Sequence, residues 1–168
     1  MGRWPVGKPR DADFSEYFAA RVQRFRRLAF GMCGDWHGAE DLVQATFVQL
    51  YRHWRRVRPD TVDAYARRIL LNAFLAGQRK RGRELVMSAP PERTAPTGYD
   101  SHDRIDLERV LSGLTPRQRA MVVLRFLEDL SVAEVASLLG VAEGTVKSQT
   151  ARGVEALRAV LPSPSGKE

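Results

Sequence analysis

The sequence predicts an all-α protein with two small helical domains joined by a flexible linker. Apolar residues recur three or four positions apart along most of the chain, and the alternation typical of strands persists nowhere. A stretch rich in Pro and Gly divides the chain near its middle, and helix-capping signals follow it. A length of 168 residues is enough for two domains that each have a core.

The first half of the chain predicts three helices. The first ends between Gly31 and Gly34, and its apolar stripe consists of Phe14, Tyr17, Phe18, Val22, Phe25, Leu28 and Met32. Asp35 can cap the second, whose apolar positions are Ala39, Leu42, Val43, Phe47, Leu50, Tyr51 and Trp54. Pro59 ends that helix. A third begins at Asp60 or Thr61 and carries Tyr65, Ile69 and Ala73 toward a basic end formed by Arg79, Lys80, Arg81 and Arg83.

These patterns divide the chain into five segments. Residues 13–84 form the first domain and residues 104–161 the second. Residues 85–103 form the linker, because Pro90, Pro91, Pro96 and Gly98 lie there with few large apolar groups. Residues 1–12 and 162–168 are the terminal tails.

The second domain has the pattern of a helix-turn-helix. Thr115–Gln118 and Ser131–Glu134 both read as capping boxes, and the first has a proline at the initial helical position. Gly140 can adopt the left-handed conformation that ends the short helix before a longer one begins near Glu143. Ala142 is a poor cap for the longer helix. Gly153 lowers the stability of the longer helix, unless a residue without a side chain is needed there for close packing against another helix.

The longer helix presents polar groups suited to base edges and phosphates, namely Glu143, Thr145, Lys147, Ser148, Gln149 and Arg152. A solvated helical hairpin is the simpler alternative. Gln149 would favour adenine, since a glutamine side chain can pair with that base through two hydrogen bonds.

Composition and charge narrow the function classes. Residues 1–83 contain 17 Lys and Arg against 8 Asp and Glu, a net charge of +9, whereas the rest of the chain carries −2. The basic half therefore predicts a polyanionic partner. No signal peptide or membrane-spanning run is visible, so we expect a cytoplasmic protein without membrane insertion. Cys33 is the only cysteine and the three histidines are scattered, so we expect no disulfide, metal or cofactor.

The segment from Ala39 to Phe47, followed by Leu50 and Tyr51, resembles region 2.2 of sigma factors, in particular the SigE-like, extracytoplasmic-function class of sigma-70 factors. The resemblance extends from about Asp13 to Leu161. It implies a bacterial sigma factor that binds core RNA polymerase at the clamp helices and the flap, recognises the −35 and −10 promoter elements, and helps melt the DNA. Many members are held by an anti-sigma factor and others lack one, so the resemblance leaves an anti-sigma factor open as a possible further partner.

The resemblance assigns three sets of residues. Core polymerase would contact Asp41, Leu42, Gln44, Phe47, Val48 and Tyr51. The −10 element would contact Tyr65, Arg68, Asn72, Arg79, Lys80 and Arg81, with the loop Val57–Asp63 holding a flipped base. Tyr65 or Trp54 could stack on a base, but packing of each ring in the core is the simpler alternative. The −35 element would contact Thr145, Lys147, Ser148, Gln149, Ala151 and Arg152, with Arg117 and Arg119 near phosphates.

Two other functions compete with this one. A free-standing, dimeric helix-turn-helix regulator would explain the second domain, but the first shows neither a ligand pocket nor a phosphoacceptor pattern. An enzyme is not expected, because no phosphate-binding Gly-rich loop, metal cluster or nucleophile motif is present. Tyr65, Leu71, Ala76, Gln149 and Thr150 depart from residues common in the family, which leaves the promoter sequence open.

Overall fold

The computed structural model of the chain describes residues 10–87 and 107–161. Every regular element within those residues is helical, which confirms the predicted fold class. Both predicted tails lie largely outside the described residues, as do positions 88–103 of the predicted linker.

The first domain is a bundle of three helices. α1 spans Arg10–Cys33, α2 spans Trp36–His53 and α3 spans Val62–Met87, with a single 3-10 turn, Trp54–Arg56, after α2. Asp35 caps α2 as predicted, because its carboxylate accepts a hydrogen bond of 2.6 Å from the Gly38 amide. α3 continues through Met87, so the first three positions of the predicted linker are helical.

An aromatic cluster lies at one end of this bundle, where the start of α1 meets the end of α2. The Phe14 ring lies 5.2 Å from the Trp54 ring and 5.0 Å from the Tyr51 ring. Tyr17 lies 5.3 Å from Trp54 and donates a hydrogen bond of 2.8 Å to Asp63. This cluster anchors the start of α3 to α1, because Asp63 lies in the first turn of α3.

The second domain consists of α4 (Leu107–Ser112), α5 (Pro116–Phe126), α6 (Val132–Leu139) and α7 (Glu143–Val160). Both predicted capping boxes are present, at Thr115 with Gln118 and at Ser131 with Glu134. The predicted absence of a side-chain cap at Ala142 is also confirmed. Gly153 is buried where α7 crosses α5, and a Cβ atom added to it would lie 2.7 Å from a Val122 methyl carbon.

The two domains pack directly against each other. α5 lies on α1 and α3, and the apolar core continues from one domain into the other. Gly31 allows the close approach of α1 to α5, because a Cβ there would lie 3.3 Å from a Val123 methyl carbon. The sequence did not predict this contact, since the Pro- and Gly-rich linker suggested two domains that do not pack against each other.

Candidate nucleic-acid interface

The helix-turn-helix of the second domain is built from α6 and α7. Gly140 ends α6 with φ 64° and ψ 40°, the left-handed conformation that was predicted for it. Val135 and Val146 are fully buried between the two helices and set the angle at which they cross. The turn therefore holds α7 with one side against the domain and the other directed outward.

The outward side of α7 carries most of the residues predicted to contact the −35 element. Five of them are exposed, namely Thr145, Lys147, Ser148, Ala151 and Arg152. Gln149 differs, because it is half-buried and its side-chain oxygen accepts a hydrogen bond of 2.9 Å from Gln118 Nε2 on α5. Its amide is held toward its own domain. The adenine preference inferred from Gln149 therefore loses its structural basis, and Gln149 is better described as a residue that positions α7.

One stripe along α3 collects most of the residues predicted to contact the −10 element. Tyr65, Arg68, Asn72 and Arg79 fall within about 60° of one another around the helix axis, and Lys80 lies beside them. All are exposed except Tyr65, which is half-buried against His53. Arg81 lies on another side of α3, about 160° from Tyr65. The structure thus separates Arg81 from the stripe.

Trp54 and the loop that follows it have structural roles. The Trp54 side chain is buried, with only 2% of its surface exposed, so it cannot stack on a base. Val57 is buried as well, while Arg58 pairs with Asp60 at 2.9 Å. Of the two roles that the sequence left open for Trp54, stacking on a base or packing in the core, the structure supports core packing, because the ring lies in the aromatic cluster.

Asp63 at the end of this loop is held by two donors from α1. Tyr17 donates to it at 2.8 Å and Arg21 Nε donates to it at 3.1 Å. Burial alone raises the pKa of this carboxyl group, but the hydrogen bonds from Tyr17 and Arg21 outweigh it and lower the pKa below its ordinary value. Burial raises the pKa of Tyr17, and its hydrogen bond to the Asp63 carboxylate raises that pKa further.

The α2 helix has an exposed face that includes half of the residues predicted to contact polymerase. Asp41, Gln44 and Val48 are exposed and follow one another at spacings of three and four residues, so they share one side of α2. Leu42 is only 8% exposed and packs in the core, so it does not belong to this face. Tyr51 is half-buried and is held by a hydrogen bond to Asp11.

An apolar groove of about 900 Å³ runs beside this face, between α1 and α2. Phe47 is 4% exposed and forms part of its floor. Phe18 and Val48 line it and are themselves 38% and 49% exposed. Exposed apolar side chains next to polar ones are typical of a surface that binds another protein.

The sequence reasoning missed one group of charged residues. Glu128 lies between Arg24 of α1 and Arg67 of α3, although 104 and 61 residues separate it from them. Nothing in local spacing signals contacts over such distances.

Comparison with known proteins agrees with this geometry. Residues 17–84 match Sigma-70 region 2, and residues 104–157 match Sigma-70, region 4. The RNA polymerase sigma-E factor of Streptomyces avermitilis is 35% identical over 154 residues, which cover 90% of this chain and 86% of that protein. The chain belongs to the sigma-70 family.

Other relatives place this sigma factor in the extracytoplasmic-function class. The ECF RNA polymerase sigma factor SigE of Mycolicibacterium smegmatis is 36% identical over 162 residues; this chain spans only 63% of its length. Among solved structures, the sigma factor RpoE from Bartonella quintana, in complex with the anti-sigma factor NepR, matches with a TM-score of 0.73. That match has 29% sequence identity and covers 90% of this chain and 98% of the other.

Family membership decides between the functions that the sequence left open. The chain is a sigma factor that directs promoter-specific transcription by RNA polymerase, and the family consists of non-catalytic initiation factors. The region 2 match over residues 17–84 excludes the alternative function of a free-standing regulator. In residues 10–87 and 107–161, no helix is both long and apolar enough to cross a bilayer, and no cluster of metal-ligating side chains occurs.

Proposed function

We propose that this sigma factor binds core RNA polymerase through the α2 face formed by Asp41, Gln44 and Val48 together with the adjoining groove. The exposed apolar side chains in that groove carry this proposal, since burying them on a partner is favourable. Phe47 contributes its edge from the floor, and Tyr51 bounds the groove at the end where Asp11 holds it.

A matched pair of glutamines on α2 tests this docking surface. Gln44 and Gln49 are both exposed, but they point about 140° apart around the helix. Gln44→Arg should weaken binding to core polymerase at least about tenfold, the equivalent of roughly 1.4 kcal/mol. Gln49→Arg should leave the affinity almost unchanged. Equal effects of the two substitutions on the affinity for core polymerase would contradict the assignment of this face of α2 as the docking surface.

The second part of the proposal is that α3 binds the unpaired −10 strand. Arg68, Arg79 and Lys80 would follow its phosphates, while Tyr65 and Asn72 would contact a base. Their common face on α3 supports this assignment. Arg68→Ala should therefore slow promoter opening, whereas Arg81→Ala, on another side of the same helix, should not. Fluorescence of 2-aminopurine placed in the −10 element measures the opening.

The third part is that α7 enters the major groove of the −35 element. Its exposed side carries Thr145, Lys147, Ser148, Ala151 and Arg152, a mixture suited to bases and phosphates. Arg117, exposed in the first turn of α5, would contact a neighbouring phosphate. Arg152→Ala should weaken duplex binding by roughly 1–3 kcal/mol, and Arg158→Ala should have little effect because it lies near the end of α7. Gel-shift titrations measure the affinity of the two variants for the −35 duplex.

The remaining proposals concern organisation and partners. Residues 13–84 and 104–161 would act as the two DNA-binding domains, with 85–103 as their connection. The protein would perform no reaction of its own and would work in the cytoplasm beside its polymerase. The complex of RpoE with NepR supports adding an anti-sigma factor to the partners.

A further inference from the structure

Two glutamine side chains connect the start of α5 to the middle of α7. Gln118 Nε2 donates a hydrogen bond of 2.9 Å to Gln149 Oε1. At the other end of its amide, Gln118 Oε1 accepts a hydrogen bond of 3.1 Å from the backbone amide of Thr115, which closes the capping box of α5. We call the Gln118 and Gln149 side chains the glutamine bridge. The bridge continues the cap of α5 as far as α7.

The backbone of Thr115 fixes the orientation of both amide groups in the glutamine bridge. The oxygen of a side-chain amide accepts hydrogen bonds and its nitrogen donates them, although the two ends have nearly the same shape. Because the Thr115 N–H group can only donate, Gln118 must direct its oxygen toward Thr115 and its NH2 group toward α7. Gln149 must then direct its oxygen toward Gln118. Besides positioning α7, the bridge therefore leaves only the NH2 group of Gln149 for another partner.

The NH2 group of Gln149 lies beside the residues assigned to the −35 element. Among the described residues no acceptor pairs with Gln149 Nε2, and this atom is not one of the polar side-chain atoms that are buried without a partner. Around the axis of α7, Gln149 lies within about 60° of both Thr145 and Arg152, at the border between the exposed and the buried side of the helix. A donor without a protein partner is thus placed next to the side of α7 that is proposed to read DNA.

The capping box of α6 shows what glutamine adds to the cap of α5. In α6, Glu134 closes the box by accepting a hydrogen bond of 2.7 Å from the Ser131 amide. Glutamate and glutamine both close such a box, but an ionised carboxylate has no hydrogen to donate. Glutamate would therefore satisfy the cap of α5. Gln118 can in addition hold the oxygen atom of Gln149.

We propose that Gln118 is a positioning residue for promoter recognition, which holds Gln149 as a donor and makes it favour guanine over adenine at the base pair it faces. The proposal rests on the proposed entry of α7 into the major groove. There guanine presents two adjacent acceptors, O6 and N7, whereas adenine presents the N7 acceptor and the N6 donor. A glutamine that pairs with adenine needs its oxygen for N6, and in this protein that oxygen is directed at Gln118.

Gln118→Glu tests the orientation by reversing it. Glutamate keeps the capping box but directs an acceptor at Gln149, which must then turn its NH2 group inward and its oxygen toward the DNA. The holoenzyme of the full chain with bacterial core polymerase is titrated with promoters that differ at single −35 base pairs. At the position whose preference disappears in Gln149→Ala, the wild type should bind guanine about fivefold or more tightly than adenine. Gln118→Glu should prefer adenine there.

Two controls separate the orientation of Gln149 from charge and from direct contact. Arg117→Gln changes the net charge by the same amount as Gln118→Glu. It should weaken binding to all promoters alike and leave the base preference unchanged, because a phosphate contact carries no sequence information. Gln118→Glu combined with Gln149→Ala should show no preference at that position. If the combined variant still prefers adenine, the new carboxylate itself contacts the base, and the proposal is overturned.

Urea unfolding of the free chain tests the glutamine bridge without DNA. Gln149→Glu keeps an acceptor opposite the Gln118 NH2 group, whereas Gln149→Lys places a second donor there. Gln149→Glu should therefore be the more stable of the two variants. The difference in unfolding free energy should fall by about half or more in a Gln118→Ala background, where the NH2 group is missing. The same difference in both backgrounds would overturn the orientation.

The outcomes separate this proposal from the proposed function. If the holoenzyme selects no −35 sequence, the entry of α7 into the major groove fails and the base preference fails with it, while unfolding still decides whether the bridge orients Gln149. If a −35 motif is selected but neither Gln149→Ala nor Gln118→Glu alters it, only the present proposal fails. If Gln149→Ala weakens binding to every promoter alike, its partner is a phosphate oxygen, and the base preference is overturned.

Discussion

Gly153 provides a sharp test of how α7 is held against the second domain. The Gly153→Ala substitution adds one methyl group, whose carbon would lie 2.7 Å from Val122 Cγ2, well inside the usual contact of about 3.5–4.0 Å between carbon atoms. Overpacking of this kind typically costs about 1–3 kcal/mol. The better helix propensity of alanine offsets about 1 kcal/mol of this cost, so the net change should be a loss of about 0–2 kcal/mol.

Gly144 supplies the matched control within the same helix. Nothing lies within 4 Å of a Cβ added there, so Gly144→Ala should be neutral or stabilising by up to about 1 kcal/mol. Urea unfolding of the full chain, followed by far-UV circular dichroism, gives both values. Val122→Ala should remove most of the penalty of Gly153→Ala in a double-mutant cycle. A stabilising Gly153→Ala would refute the close packing of α7 on α5.

Three further predictions concern single residues. Ala142→Ser should stabilise the protein by about 1 kcal/mol in the same unfolding assay, since it adds the missing cap of α7; no gain would contradict that helix start. Because the pKa of Asp63 is lowered in the folded state, its stabilising effect should be complete above its unfolded pKa of about 3.9 and lost as the pH falls through the lower folded value. Asp63→Asn should make the acid unfolding curve less steep, and an unchanged curve would argue against the hydrogen bonds from Tyr17 and Arg21. Burial raises the pKa of Cys33 to about 11, so at pH 8 a disulfide reagent should modify it roughly a hundredfold more slowly in the native protein than in urea; equal rates would contradict that burial.

The sequence was most informative where local chemistry decides the backbone. Asp35, Thr115 and Ser131 cap helices because their side chains reach amides three residues ahead, and that spacing is visible in the sequence. The left-handed Gly140 follows from the same kind of local rule. These signals were enough to predict the helix-turn-helix and the outward residues of α7.

The sequence was less informative where distant segments meet. Gln149 has the composition of a DNA-reading residue, but Gln118 on another helix holds its amide. Trp54 could have been a stacking residue or a core residue, and only the positions of Phe14 and Tyr17 decide for the core. The contacts of Glu128 with Arg24 and Arg67 depend on tertiary packing across 104 and 61 positions, which no periodicity in the sequence indicates.

Runoff transcription with purified bacterial core polymerase tests the central claim most directly. A pooled promoter library is transcribed with and without the protein, and the transcripts are sequenced. We predict protein-dependent transcripts from promoters that share two motifs at a constant spacing, with Arg68→Ala reducing opening and Arg152→Ala reducing selection of the upstream motif. No dependent transcripts, together with tight binding of the protein to an isolated palindromic duplex, would contradict the account.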